Sequence, residues 1–354
     1  MLYYWHMKTF YEMYQDAYAK EASDIHLIFD KPAQRRIHGR LEDIDEYKLT
    51  DNDIQELTDE ILTPRAKAQL NEVSDADFAH DFGKNQRIRV NVHFERKHLA
   101  LTARIIKSEI PSFEKIRLGK FEESLTKLNS GLILVCGPTG SGKSTTLAAM
   151  IDRINTDRHC KIVTVEDPIE YVFEHKKSVV EQREIGIDSP NFGMALRTVF
   201  RQDPNIIMVG EMRDKETIQE TLRIAETGHL VFSTLHTSSA PATMLRIVDI
   251  FEPHEQRQIK IQLAENLRAV VFQELVPCIP EGRIAAREIL INNSAVANII
   301  RTGNFEQLDT VLQTSSEEGM VTLERALETL YRDKLIAKEV YEKGRGYARQ
   351  YAYF

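Results

Sequence analysis

Cysteine is scarce in this sequence. Its 354 residues hold three, Cys136, Cys160 and Cys278, far apart and without a CxxC pair. That argues against a disulfide framework and a thiolate zinc site, and it fits a chain kept in a reducing cytoplasm. Apolar residues never run for the roughly 20 positions a membrane-spanning helix needs, so an integral membrane protein of helices is excluded. The opening residues 1–8 are aromatic but soon interrupted by charge, unlike a secretory signal. Basic residues are not in excess either: 46 against 54 acidic give a formal charge of −8. The electrostatic footprint of a nucleic-acid protein is missing, and no nucleic acid is expected as partner. Internal repeats and low-complexity segments are absent too.

What is present is an ordinary globular balance, 42% hydrophobic and 28% charged, enough for a sizeable core. The length suggests two or three domains. Pro111-Ser112 and Gly119-Lys120 mark a linker at 108–120 between residues 1–107 and 121–354. In the first part, Ile88, Val90, Val92 and Phe94 alternate with Arg87, Arg89, Asn91 and His93, the pattern of a half-buried strand. A polar turn, Glu95–His98, predicts a return strand over Leu99–Ile106 that carries Arg104. Thr50–Leu70 has helical spacing, with Asp51 or Asp53 available near its start. After the linker, short β-branched runs alternate with amphipathic segments. Leu132–Cys136, Ile162–Val165, Ile206–Val209 and Leu230–Leu235 suit strands buried on both faces of a parallel sheet, hence an α/β class. The tail from Pro253 predicts helices, including Glu255–Leu275 and Val321–Tyr331.

Gly137-Pro138-Thr139-Gly140-Ser141-Gly142-Lys143-Ser144, followed by Thr145, matches GxxxxGK[ST] between an expected strand and an expected helix. Its glycines let backbone N–H groups wrap an anion at a helix N-terminus. Lys143 would reach the β- and γ-phosphates of ATP, and the Ser144 hydroxyl would ligate Mg²⁺. Ile206–Val209 runs into Gly210-Glu211, the layout of an acid holding Mg²⁺, although an Asp more often follows such a run. Glu211 could equally be a strand-end surface acid. Glu166, at the end of the third run, could orient the attacking water, or Glu166 and Asp167 could merely pair with Arg197 or Arg201. His229 and His236 bracket the fourth run. A structural hydrogen bond is the usual use of such histidines, and His236, at the expected C-terminal strand edge, is the better phosphate-sensing candidate.

Together these motifs resemble the secretion-ATPase superfamily, and most closely the PilT-type motors of type IV pili. Gly137–Thr145 is similar to that family's Walker A, and Thr164-Val165-Glu166-Asp167-Pro168-Ile169-Glu170 to its Asp box. Arg201-Gln202-Asp203-Pro204 through Gly210-Glu211-Met212-Arg213-Asp214 resembles its Walker B, and Ala225–His229 through Thr234–Thr237 its His box. The likeness runs from Ala22-Ser23-Asp24-Ile25-His26 to Gly319-Met320-Val321-Thr322-Leu323. It implies a PAS-like α+β N-terminal domain joined to a RecA-like P-loop ATPase domain, six chains in a ring, and a pilus inner-membrane platform protein as partner. The chain would then be cytoplasmic, peripheral to the inner face of the membrane.

The resemblance also implies Glu166 as the catalytic glutamate, Glu211 on the Mg²⁺ side, and Arg89, Arg104, Arg197 and Arg201 around the phosphates. Read from residues alone, the polar face bearing Arg87, Arg89 and His93 would more often be solvated. Extension-type relatives usually carry a tetracysteine zinc site, which the isolated cysteines here cannot build. The expectation is therefore pilus retraction: fibre disassembly, twitching motility and DNA uptake. Ala295-Val296-Ala297-Asn298-Ile299-Ile300 departs from the Ala-Ile-Arg-Asn-Leu-Ile segment of retraction motors, with alanine in place of arginine. Extension, secretion and accessory roles stay open beside retraction, and a nucleic-acid translocase or a non-hydrolysing ring subunit beside those.

Overall fold

The computed structural model describes residues 8–37, 39–83, 86–106 and 109–351. The chain divides into two compact units, one of Met1–Glu109 with Glu170–Val172 and one of Ile110–Ile169 with Phe173–Phe354.

Within the described residues, the first unit comprises α1 (Phe10–Ala19), β1 (Asp24–Leu27), β2 (Pro32–Ile37), β3 (Arg40–Lys48), α2 (Asp51–Asp59), α3 (Pro64–Val73), β4 (Asp75–Asp81), β5 (Arg87–Glu95) and β6 (His98–Ile106). All its strand pairs are antiparallel, in the order β3-β2-β1-β6-β5-β4. The expected hairpin is there. Arg96 and Lys97 turn it with φ of 52° and 73°, the left-handed pair that a two-residue hairpin loop requires. The expectation of one helix over Thr50–Leu70 is corrected to two. Thr50 caps α2 in a reciprocal box with Asp53, and Pro64 opens α3 behind the Thr63 cap. Proline fits a first helical turn but not a helix interior, so the periodic run is cut there. Phe10, Met13, Tyr14 and Ala17 of α1 pack into one core with Ile25, Ile88, Val90 and Leu101. Across the sheet, register aligns Arg36, Asp24, Arg104 and Arg89 on four neighbouring strands.

Within the described residues, the second unit runs α4 (Lys120–Thr126), β7 (Gly131–Cys136), α5 (Lys143–Asp157), β8 (Lys161–Glu166), β9 (Val179–Glu184), α6 (Phe192–Val199), β10 (Ile206–Val209), α7 (Lys215–Glu226), β11 (Leu230–Leu235), α8 (Ala240–Asp249), α9 (Pro253–Asn266), β12 (Leu267–Pro277), β13 (Arg283–Ile291), α10 (Ser294–Thr302), α11 (Leu308–Thr314), α12 (Leu323–Arg332) and α13 (Lys338–Tyr351). Its sheet order is β13-β12-β7-β11-β10-β8-β9, parallel throughout except for the β12–β13 pair. Every residue of β7, β10 and β11 is buried, as their unbroken apolar runs require of strands covered on both faces. The expected helix over Glu255–Leu275 is corrected. Helix α9 stops at Asn266, and the β-branched, aromatic run Ala269-Val270-Val271-Phe272 pairs in parallel with Ile133–Cys136.

Glu288 of β13 is buried and ties two helices together. Its carboxylate accepts the Ala240 N–H at 2.9 Å and the Leu323 N–H at 3.3 Å, in the first turns of α8 and α12. Burial nevertheless pushes its carboxyl up from 4.5 to about 6, against the pull of those two N–H groups. A raised carboxyl favours the protonated folded state, so its contribution is full below pH 4.5 and lost as pH rises through about 6. Relative to Glu288→Gln, the parent should therefore lose about 2 kcal/mol of stability between those pH values in paired denaturation curves. A gap that widens in the parent's favour with pH would mean that the helix N–H groups outweigh burial.

Candidate active site

Parallel strands bring their C-terminal ends to one edge, and the residues that follow β7, β8, β10 and β11 meet there. The loop after β7 is drawn tightly against β12. Gly137 has φ 143°, and a Cβ on it would fall 2.2 Å from the Gln273 carbonyl oxygen. Gly142, at φ 85°, caps α5 with no side chain of its own. The first-turn N–H groups of a helix have no intrahelical acceptor, so they face outward as anion donors. Ser141 Oγ is buried without a hydrogen-bond partner, a further donor in the same loop. Lys143 is buried, and its Nζ donates to the carbonyls of Gly137 and Pro138, at 2.9 Å each. A cradle of N–H groups with a buried ammonium fits a polyphosphate.

His236 joins this loop to the strand beside it. Its Nδ1 lies 3.4 Å from both Lys143 Nζ and Thr139 Oγ1, and its Nε2 lies 3.5 Å from Glu211 Oε2. An ammonium can only donate, so these partners assign Nδ1 as acceptor and Nε2–H as the donor toward Glu211. Burial, with the Lys143 cation next, holds the imidazole below its ordinary value against the pull of Glu211. Glu211 is also gripped by Arg213 Nε at 2.6 Å. It is thus an inward acid in a charge chain, Lys143–His236–Glu211–Arg213, and not an isolated surface acid.

Glu166 closes β8 and is buried. Its Oε1 accepts from Thr164 Oγ1 at 2.7 Å and from Gln182 Nε2 at 3.2 Å, which fixes the plane of the carboxylate. Arg197, the alternative partner considered for it, reaches Glu216 at 2.9 Å and Glu220 at 3.6 Å on α7. Ser144 sits in the first turn of α5. Among the described residues no cluster of three His, Cys, Asp or Glu side chains could hold a metal. A Mg²⁺ at Ser144 and Glu211 would thus take most of its oxygens from phosphate and water, as that ion usually does.

Two candidates of the same unit, His229 and Arg201, lie at the opposite edge of this sheet. His229 precedes β11 and pairs with Gly131 at the start of β7, about 20 Å from the phosphate loop at roughly 3.3 Å per strand residue. Its Nδ1 meets Thr227 Oγ1 at 3.0 Å, and the Phe200 ring stands edge-on at 5.7 Å. It does the structural job usual for such a histidine. Arg201, in the 3₁₀ turn Phe200–Gln202 that leads into β10, belongs to the same far edge. Arg89 and Arg104 face each other across β5 and β6 of the first unit, and Arg104 Nε donates to the buried Asp24 at 3.0 Å. Sequence reasoning missed Thr164, Gln182 and Arg213, and also Gln273 and Arg287, which lie under the phosphate loop in strands it took for helix or did not see. A glutamine and an arginine interrupting apolar strand runs were the available signal. Beside the loop a cavity of about 300 Å³ opens between Ile116, Arg117, Thr145, Leu275 and Ile279.

Residues 6–349 match the family of type II/IV secretion system proteins. The type IV pilus retraction ATPase PilT of Pseudomonas aeruginosa is 41% identical over 318 residues, 90% of this chain and 92% of its own. The twitching motility protein of Neisseria gonorrhoeae is 40% identical over 305 residues, 86% of this chain and 82% of its own. A crystal structure of the pilus retraction motor PilT with bound ADP superposes with a TM-score of 0.89, at 42% identity, over 96% of this chain and 97% of that one. With a nucleotide-binding phosphate loop at its centre, this chain belongs to the type II/IV secretion system protein family and, within it, to the PilT-type ATPases.

Proposed function

We propose that this chain is an ATP-driven motor that removes pilin subunits from a type IV pilus. The observation that carries the reading is the Lys143–His236–Glu211 chain beside Glu166, set in a fold that is similar along its whole length to a retraction motor. Residues 137–145 hold the phosphates of ATP, and the neighbouring cavity takes the nucleoside. Lys143 exchanges the two carbonyls it now holds for β- and γ-phosphate oxygens. Ser144 and Glu211 are the residues that would hold Mg²⁺, whose charge screens the phosphates and stabilises the charge that develops between them. Glu166, clamped by Thr164 and Gln182, orients the attacking water. His236 relays the presence of phosphate from Lys143 to Glu211.

In this reading residues 1–107 and 121–354 are separate domains, Arg89 and Arg104 contact the phosphates, and six copies form the working ring. For Arg197, Arg201 and His229 a phosphate contact would then be made toward a neighbouring chain. The motor works at the cytoplasmic face of the membrane, on a platform protein there. Among the described residues no helix is long and apolar enough to cross a membrane.

Ala297 is the position at which retraction can be tested. It lies on α10, half-buried against the core, where retraction motors carry arginine. Deleting the gene should leave cells with more or longer pili and no twitching, restored by the parental chain. Bald cells would mean extension, and unchanged pili and motility an accessory role. Rescue by Ala297→Arg alone would show that this chain has lost retraction. The purified chain should hydrolyse ATP in step with its hexamer fraction in light scattering; full activity from a dilute monomer would remove the ring.

A further inference from the structure

Under the phosphate loop lies a buried polar chain that none of the roles above uses. Gln273 of β12 and Arg287 of β13 are 1% and 9% exposed. The Gln273 amide donates to the Ser141 carbonyl at 2.5 Å, and its Oε1 accepts from Thr146 Oγ1 at 2.8 Å and from Arg287 Nε at 3.0 Å. Those three bonds fix the amide's orientation, since an ammonium-like guanidinium can meet only its oxygen. On the far side, Arg287 Nη1 donates to the Arg117 carbonyl at 3.0 Å and Nη2 to the Ile116 carbonyl at 2.9 Å. Residues 113–118 form a turn, closed by Leu118 N–H on Phe113 O and Arg117 N–H on Glu114 O, with Arg117 left-handed at φ 53°.

Packing does not account for this arrangement. Arg287 spends its buried charge on a neutral amide and two carbonyls, with the Glu122 carboxylate as its supporting charge. A buried cation held this way adds little stability over apolar side chains of the same volume. Its chemistry is directional instead. Arg287 polarises Gln273, whose N–H then strengthens its bond to the Ser141 carbonyl. That carbonyl shares one peptide group with the Gly142 N–H, a donor at the start of α5. Hydrogen bonds in such a chain reinforce one another, most of all where water is excluded.

We propose that Gln273 and Arg287 are positioning residues of the ATPase cycle, aiming the Gly142 N–H at the phosphates and carrying the state of the loop to the turn at 113–118. The inference rests on the reading of residues 137–145 as the nucleotide phosphate loop. Nucleotide that engages the Gly142 N–H tightens the Ser141–Gln273–Arg287 chain and so steadies the carbonyls of Ile116 and Arg117. Residues 116 and 117 also line the cavity beside the loop, so one turn receives both signals.

The test uses the full chain, its Arg287→Met and Arg287→Lys variants, and ADP as probe. ADP should slow amide exchange of residues 113–118 in the parent by roughly tenfold, the equivalent of about 1.4 kcal/mol. In Arg287→Met that slowing should vanish, while the KM for ATP rises roughly tenfold, the loss of one charge-assisted bond. An ammonium can reach Gln273 Oε1 but cannot also span two carbonyls. Arg287→Lys should therefore recover most of the KM and none of the slowed exchange, a split that a merely structural residue would not give. Two results would overturn the proposal: a folded Arg287→Met with parental KM and parental slowing, or a parent that binds ADP without any change at 113–118. Should Arg287→Met fail to fold, the parent and Arg287→Lys still decide. A parent that does not bind ADP at all would strike the phosphate-loop reading itself, a different and separately visible failure.

Discussion

Lys143→Ala is expected to reduce ATP hydrolysis by at least roughly 10³-fold, and to weaken nucleotide binding with it. The ammonium is buried against two carbonyl oxygens and one imidazole nitrogen, all acceptors. The next cation of that charge chain, Arg213, is engaged with Glu211 at 2.6 Å and so does not replace the ammonium against the β- and γ-phosphates. Removing one uncharged donor from a site for developing negative charge already costs 10²–10³ in rate by order of magnitude. A cation facing a polyphosphate should exceed that. The substitution has a second signature. The Lys143 charge is one of the causes that hold the His236 imidazole low, so in Lys143→Ala that imidazole should titrate at higher pH. Steady-state hydrolysis measures the first effect and the His236 ring resonances followed through pH measure the second. Hydrolysis near the parental rate would remove Lys143 from the mechanism. An unmoved His236 with hydrolysis lost would show instead that the two side chains do not sense each other.

The parts of this site that were legible in the sequence share one property: their signal is local. Gly137–Thr145 is contiguous, and the runs before Glu166, Gly210-Glu211 and His236 are short and apolar enough to be strands with no other information. Parallel pairing then gathers their ends whatever the details. Gln273 and Arg287 were illegible for the opposite reason. Each is 127 or more residues from the Ser141–Thr146 loop it supports, and β12 follows α9 without a turn, because Asn266 ends the helix and Leu267 begins the strand. Residues 267–275, read as the end of a helix, become strand because β7 and β13 offer them ladders on both sides. Thr50–Leu70 failed through a signal that was present, the Thr63-Pro64 pair, and was outweighed by periodicity. His229 and His236 bracket one run, and the expected direction of that strand already favours His236; in the structure the first packs against Phe200 and the second touches the lysine of the phosphate loop.

Glu166→Gln should keep nucleotide binding and lose hydrolysis by roughly 10²–10⁴-fold, the range for a positioned group acting on a proton in the transition state. The structure says why this substitution, and not alanine, isolates the chemistry. Thr164 Oγ1 is a buried donor whose acceptor is Glu166 Oε1. Alanine would leave it unpaired, at a cost of about 1–3 kcal/mol that would blur any loss of activity. Glutamine keeps the volume and offers an amide oxygen in the same place, so the Thr164 bond survives and the strand end does not shift. What it removes is the negative charge and one acceptor oxygen, the two properties that water orientation needs. ATP affinity should remain close to the parental value, since on the proposed function the phosphates fall to residues 137–145, Lys143 among them, and not to Glu166. Binding by ATP titration and turnover by phosphate release, measured on the same preparation, separate the cases. Parental turnover in Glu166→Gln would reduce Glu166 to a partner of Thr164 and Gln182. Parallel loss of binding and turnover would mean that the carboxylate shapes the phosphate loop instead of acting on the water. Turnover lost with binding retained places the water beside the end of β8, where Glu166 stands.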